Sequence, residues 1–343
     1  MKRLLSLSLL VVGALAAVFA LPALADINPL LQGSADRMPM IGLGGMIITA
    51  SSLQSLQQGF NAAFNKGFGS VAPTWMRVAM AVPSTADIEN YGWMKELPGM
   101  REWVGQRVIH NMEATGAQLK NKNYEHTIGV DRNHVEDDKL GIYAPMFSLQ
   151  GEVVARHPDE LVWGMLPTGF ATKGFDGQYF FDTDHVGYDA AGKEVSWSNT
   201  GGGAGAPWFL LDLSRNFMKP MIFQDRKKAE FVSLNRPTDQ NVFMDRQFIF
   251  GADARYVAGF GFHQLSYGSK ATLDATSFAA ARLALETQRR PDGSPMPVVA
   301  STLICGPSRR AEAEAVLLRE RLANGESNAL YKAVELVINP HLG

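Results

Sequence analysis

Cysteine is almost missing from this chain. The single one, Cys305, excludes an intramolecular disulfide and any Cys-rich metal site. Charge of one sign is missing too: 32 Lys and Arg face 34 Asp and Glu, a net of −2, so no basic footprint marks a nucleic-acid reader. The motifs of common catalysis are absent. There is no G-x-S-x-G elbow, no H-E-x-x-H helix and no C-x-x-C pair. Long apolar runs are absent as well, apart from one at the amino terminus, which excludes a multi-span membrane protein. What is present is 46% hydrophobic residues over 343 positions, enough for real cores in about two domains. Disorder and fibrous repeats are thereby excluded.

The one apolar run has the grammar of a secretory signal. Met1, Lys2 and Arg3 are a basic start, Leu4 to Leu21 an apolar stretch, and Pro22 precedes Ala23-Leu24-Ala25 and then Asp26. At roughly −0.5 kcal/mol for each Leu, Val or Phe, membrane insertion of this stretch is favourable by about 5 kcal/mol. Residues 1–25 are therefore signal-peptide-like on pattern alone. An uncleaved anchor, or a true start at Met46, are the competing readings. Residues 26–45 mix Pro, Gly and polar residues without period and read as a linker.

Folded sequence is expected from about Met46. Leu53, Leu56, Phe60, Phe64 and Phe68 recur at helical spacing, which predicts an amphipathic helix over Ala50 to Phe68. Trp75 to Pro83 is strand-like, and β-prone runs on either side of Ala114-Thr115-Gly116 predict a long two-stranded excursion between Val104 and Val130. Glu136, Asp137 and Asp138 precede a helix pattern carried by Tyr143, Met146, Phe147, Gln150, Val153 and Val154, with one buried face. His157-Pro158 is expected to kink or restart that helix before Asp159 to Leu166. Gly174 to Gly205 reads as a long exposed loop. Strand-like runs at Trp208–Leu213, Lys219–Gln224, Phe231–Leu234, Phe248–Val257 and Phe260–Tyr267 predict an antiparallel sheet. Helices over Phe278–Thr287 and Arg309–Leu322, an apolar run Val298–Cys305 and a strand Ala333–Ile338 close the chain.

The candidate chemistry is thin. Asp182-Thr183-Asp184-His185 suggests calcium, but scored as an EF-hand loop it places Val186 at the fifth position and Lys193 where a bidentate Glu belongs. A network of turns is the expected reading. Gly201-Gly202-Gly203-Ala204-Gly205 lacks the Lys-Ser/Thr of a phosphate loop and reads as a hinge. Cys305, inside an apolar run, reads as a core residue. The seven His residues are scattered singly, none with a partner at metal-ligand spacing, and His157-Pro158-Asp159-Glu160 is an ordinary helix first turn. No catalytic, cofactor or metal residues are assigned, which favours a structural or binding role.

Aromatics say more. Trp75, Trp93, Trp103, Trp163, Trp197 and Trp208 are spread along the chain, and Tyr91-Gly92-Trp93-Met94 and Arg101-Glu102-Trp103-Val104 flank the predicted excursion. Large aromatics on projecting elements predict contact with another protein. Several blocks carry a family resemblance: Val82-Pro83-Ser84-Thr85, Gly129-Val130-Asp131-Arg132, Leu140-Gly141-Ile142-Tyr143-Ala144-Pro145, His157-Pro158-Asp159-Glu160-Leu161, Phe180-Phe181-Asp182-Thr183-Asp184-His185, Trp208-Phe209-Leu210-Leu211-Asp212 and Gly259-Phe260-Gly261-Phe262. With the two aromatic blocks and Glu136-Asp137-Asp138, in this order from about Met46 onward, the chain resembles the major head subunits of Mu-like phages and prophages, the gpT family.

That resemblance implies an α+β major capsid protein of the Hong Kong 97-type fold, not an enzyme, with no cofactor. It implies an amino-terminal arm over 46–83, an extended loop over 84–135, and peripheral and axial domains over 136–343, with a spine helix at about 137–166. The implied partner is the chain itself, in pentamers and hexamers of an icosahedral shell assembled in the bacterial cytoplasm. Scaffold, portal and decoration proteins would join it, around double-stranded DNA bound without sequence specificity. Lys95, Lys120 and Lys122 fall on the expected extended loop, where a distant relative of the fold forms isopeptide cross-links; none are expected here. Two other readings stand beside this one. They are an encapsulin-like compartment shell, which shares the fold, and an exported periplasmic protein, supported only by the amino terminus.

Overall fold

A computed structural model describes residues 49–91, 117–136, 142–322 and 324–342, all within a compact unit spanning Gly45–Gly343. The signal-like segment, the linker, Trp93 and Trp103 lie outside the described residues. Among the described residues no helix is long and apolar enough to cross a membrane.

Helix α1 (Ala50–Ser70) opens on a capping box, in which Thr49 Oγ1 accepts from the Ser52 N–H and the Ser52 hydroxyl serves the Thr49 N–H. The expected stripe is real. Leu53, Phe60 and Phe64 are buried, while Phe68 at its end is partly exposed. α1 packs along α3 (Tyr143–Met165). Phe60 stacks on Phe147 at 4.2 Å between ring centroids, and Phe250 meets both rings edge-on.

Helix α3 runs through Pro158 without restarting, contrary to expectation. Proline removes one internal hydrogen bond, but both flanks are anchored. His157 Nδ1 lies 2.6 Å from the Tyr256 hydroxyl, and Asp159 Oδ1 accepts from the N–H groups of Thr74 and Trp75. Trp163 Nε1 adds a bond to Thr74 Oγ1. Trp75 starts a short 3-10 turn, so the strand β1 is only Ala79–Pro83. Glu136 closes a five-residue helix, α2 (Arg132–Glu136), and Asp137 and Asp138 fall outside the described residues.

Four strands form the sheet beneath these helices: β1, β9 (Met221–Leu234), β10 (Gln247–Phe260) and β4 (Lys122–Asp131), in that spatial order. β1 joins β9 in parallel, and the other pairs are antiparallel. The two runs expected at Lys219–Gln224 and Phe231–Leu234 are one strand. The charged middle of β9 hides its continuity, because alternate residues there lie on an open face and Lys227 pairs with Asp253 on β10 at 2.7 Å. The run expected to form one side of a free excursion is split. β3 (Ala117–Lys120) pairs with β2 (Ile88–Tyr91), and β4 pairs with β10 over its whole length.

A second sheet holds five strands in the order β13 (Glu335–Ile338), β12 (Thr302–Cys305), β8 (Trp208–Leu211), β11 (Ser266–Lys270) and β7 (Thr200–Gly203). It is mixed, since β12–β13 and β11–β7 are parallel. Helices α5 (Ala275–Glu286) and α6 (Arg310–Leu317) contribute Phe278, Ala281, Leu285, Ala313 and Leu317 to its core. A short helix α4 (Gln240–Asp245) links β9 to β10.

The stretch Gly174 to Gly205 is not the exposed loop its composition suggests. It contains β5 (His185–Tyr188), β6 (Glu194–Trp197) and β7, and buries Phe180, Phe181, His185 and Asn199. Nor is the glycine run a hinge. Gly203 has φ of +91° and passes so close to Ala271 that a Cβ would overlap its backbone nitrogen.

Candidate functional site

Two features invite a functional reading: apolar surface left exposed among the described residues, and a buried ionisable cluster. The surface lies first on α3. Ile142, Met146, Leu149 and Val153, spaced four, three and four residues apart, form an exposed apolar stripe beside the buried Phe147 and Gln150. One buried face was expected and is present, but Met146 and Val153, expected on it, are exposed. At the far end of the β9–β10 hairpin, Leu234 is exposed, and on α4 Phe243 and Met244 are 78% and 67% exposed. Such residues would contribute about 1.5–3 kcal/mol each if fully buried by a neighbour.

The four described tryptophans play a different part, while Trp93 and Trp103 lie outside the described residues. Trp75, Trp163 and Trp208 are buried within this unit, and Trp197 is half-buried with Nε1 donating to the Ala284 carbonyl. Their segments fold back on their own cores instead of projecting. The large apolar side chains exposed on α3 and at the hairpin tip are aliphatic, Met and Phe, and on α3 their signal was present in the sequence as apolar positions offset by one residue from the buried stripe.

The base of the segment between β2 and β3 is fastened by buried polar groups. The Tyr91 hydroxyl donates to Gln224 Oε1 at 2.7 Å, Gln224 Nε2 donates to Asn121 Oδ1 at 2.8 Å, and Asn121 Nδ2 reaches the Ala86 carbonyl and the Ser84 hydroxyl. Glu89 completes the network by accepting from Thr85 N–H, Ala86 N–H and the Ser84 hydroxyl. These bonds, more than the neighbouring Arg226, hold the half-buried Glu89 carboxyl below its ordinary range. Burial, with the Glu89 charge, pushes the Tyr91 hydroxyl up to about 12.

The ionisable cluster assembles Asp176, His185 and His263. The expectation that each His stands alone fails here. The two imidazoles are stacked with centroids 4.0 Å apart and planes within 10°, and Phe175 stacks on the outer face of His263. His185 Nδ1 lies 2.6 Å from Asp176 Oδ2, and His263 Nδ1 lies 3.7 Å from the same oxygen. One donor atom from each residue falls within 4.8 Å of the others. Rings stacked this way cannot both hold one ion in their planes, so the arrangement suits proton sharing and not metal ligation. Asp182 and Asp184 stay outside it. Asp182 accepts from the N–H groups of Tyr179 and Thr183, the turn network expected of them.

Cys305 is fully buried in β12, and burial pushes its thiol up to about 11 despite two nearby arginines. Lys120 lies on β3 and Lys122 begins β4, while Lys95 lies outside the described residues.

Over residues 53–342 the sequence matches the family model of the Mu-like prophage major head subunit gpT. The chain belongs to that family. The major capsid protein of Escherichia phage Mu is 36% identical over 306 residues, covering 87% of this chain and all of that protein. The Mu-like prophage FluMu major head subunit of Haemophilus influenzae is 33% identical, covering 80% of this chain and 91% of its own length. In structure, the chain is similar to the subunit in the procapsid of bacteriophage JBD30, with a TM-score of 0.76, 38% identity, 86% of this chain and all of that one. Against the subunit of the JBD30 capsid the TM-score is 0.69 at 29% identity, covering 80% of this chain and 92% of the other. The gpT-family fold is thus the α+β, Hong Kong 97-type architecture expected from the sequence blocks.

Proposed function

We propose that this chain is the major capsid subunit of a Mu-like tailed phage or prophage, forming pentamers and hexamers of an icosahedral shell around the DNA genome. The observation that carries the reading is coverage: the phage Mu major capsid protein is matched over its full length, leaving no part of a capsid subunit unaccounted for. The uncovered apolar stripe on α3 and the apolar hairpin tip are what a subunit with neighbours would leave exposed. The compartment-shell and exported-protein readings lack support of this kind. In this proposal, 46–83 is the arm, 84–135 the extended loop anchored at its base by the Tyr91–Gln224–Asn121 network, and α3 the spine. The remainder divides between peripheral and axial domains. The protein acts by assembly and not by catalysis. Near-neutral charge suits enclosing DNA without sequence-specific contacts. Scaffold, portal and decoration proteins would act with it in the host cytoplasm.

Assembly tests the reading directly. The full chain, expressed with and without a co-expressed scaffold, should give shells, sheets or capsomers in negative-stain images. Replacing Met146 and Leu149 by Glu should leave folded subunits that no longer assemble. A monodisperse monomer in both expressions of the unaltered chain overturns the proposal.

A further inference from the structure

The hairpin formed by β5 and β6 arches over a cavity of about 540 Å³ and is fastened at two points. At its tip, the turn containing Gly192 meets the turn containing Gly293. A Cβ on Gly192 would overlap the Pro291 carbonyl oxygen, and one on Gly293 would crowd that of Ala190, so backbone touches backbone with no side chain between. Both glycines have positive φ, 77° and 76°. The contact itself is backbone, with the Asp189 carboxylate accepting from the Ala191 and Lys193 N–H groups in one turn and Asp292 from the Ser294 N–H in the other. The root of the hairpin is fastened by His185, stacked on His263 from the 3-10 turn His263–Leu265, with Asp176 bridging from the preceding loop.

A charge count sets the limit on that root. One carboxylate, Asp176, can balance one imidazolium. A second proton would place two cations face to face at 4.0 Å, in rings whose side chains are 0% and 4% exposed. His263 Nδ1 and His185 Nε2 have no hydrogen-bond partner among the described residues, so no further acceptor is in place. The other ionisable groups lining the cavity are Tyr188 and Glu194 on the hairpin and Arg289 beyond α5. Arg289 is itself a cation, its Nη1 held by the Gly293 carbonyl, and Glu194 is exposed on β6. Neither adds a buried anion.

We propose that Asp176, His185 and His263 form a proton-operated latch, in which uptake of a second proton releases the root of the β5–β6 hairpin and opens the cavity beneath it. Closed, His263 stays neutral. Burial, and then the His185 charge, push its pKa down to about 3, against the partial opposition of Asp176. Released into solvent, it regains an ordinary imidazole value near 6.5. The open form therefore binds a proton that the closed form rejects, and closure weakens as pH falls from about 6.5 towards 3. Asp176 stays charged over most of that window. Burial opposes its ionisation, but the hydrogen bond with His185 is the first of the causes that outweigh it and hold the carboxyl below its usual range. The latch does not depend on the capsid reading.

Hydrogen exchange on the full-length protein tests the latch, comparing peptides from residues 185–197 with peptides from β12 at pH 7.5 and pH 5, after correction for the intrinsic pH dependence of exchange. Opening of the hairpin should rise on the order of tenfold at pH 5 while β12 stays protected. His263→Phe keeps a ring between Phe175 and His185 but cannot take up a proton, so its hairpin should retain at pH 5 the protection it has at pH 7.5. His263→Gln serves the same comparison if the Phe variant does not fold. Equal protection of the unaltered hairpin at both pH values overturns the latch, as does loss of hairpin and β12 protection together. An undiminished pH response in the variant that folds would also overturn it.

Discussion

Gly151 of α3 lies against the carbonyl of Phe64 on α1 so closely that a Cβ would overlap its oxygen. Gly67 meets the Ser148 carbonyl in the same way from the other helix. The two glycines let α1 and α3 approach backbone to backbone, which brings Phe60 onto Phe147. Gly151→Ala should therefore cost about 2–3 kcal/mol by overpacking. Gly59→Ala, in the same α1 helix but with open space around it, should be neutral or stabilising by up to about 1 kcal/mol. Urea denaturation of the two variants separates them; equal stabilities would refute the close approach.

Asp159 is buried within α3, and one of its oxygens serves two N–H groups at once. Asp159→Ala leaves both donors unpaired and should cost about 2–4 kcal/mol. Asp159→Asn keeps an acceptor and should lose less. Thermal denaturation should place Asn between Ala and the native residue.

Gln224 links Tyr91 to Asn121 across the base of the predicted extended loop. Gln224→Leu strands both partners and should destabilise by about 2–4 kcal/mol. If the network anchors that loop, trypsin should cut between residues 84 and 121 faster in this variant, with little change in the five-stranded sheet.

Tyr91 also supplies an alkaline signature. Its folded pKa near 12 lies above the ordinary value of 10, so the folded state keeps a proton that the unfolded state loses. Its contribution to stability is complete below pH 10 and fades as pH rises from 10 towards 12. Tyr91→Phe should flatten that part of the stability curve above pH 10, measured by urea midpoints. A curve parallel to that of the unaltered protein would count against it.

Cys305, with its thiol pushed up to about 11, should be nearly inert in the folded protein. At pH 8 only about one thiol in a thousand is ionised, and burial in β12 blocks access. A disulfide reagent should titrate one thiol on unfolding and almost none before. Rapid labelling of the native protein would contradict the burial.

Where the sequence was legible, a strict period made it so. α1, α5 and the strands β8, β12 and β13 lie where three-to-four spacing or short apolar runs place them, and ten ordered blocks pointed to the gpT family. Failures came where a segment's partner decides its state. Polar, glycine-rich composition concealed the three short strands between Gly174 and Gly205, because neighbouring strands and not side-chain hydrophobicity hold them. Alternating charges masked the middle of β9 for the same reason, since its exposed face needs no apolar residues. Pro158 was expected to kink or restart the helix because the anchors at Tyr256 and Thr74 are distant in the chain.

The sequence by itself determined which faces are apolar, that no local catalytic motif is present, and the family to which the chain belongs. Only the tertiary structure decided what each face meets. It stacked His185 on His263, drew Gln224 between Tyr91 and Asn121, and turned Trp75, Trp163 and Trp208 inward while leaving Met146, Leu149 and Phe243 outside. The physical reason is that periodicity records burial along one element, whereas such contacts depend on strand register and helix approach between residues far apart in the chain.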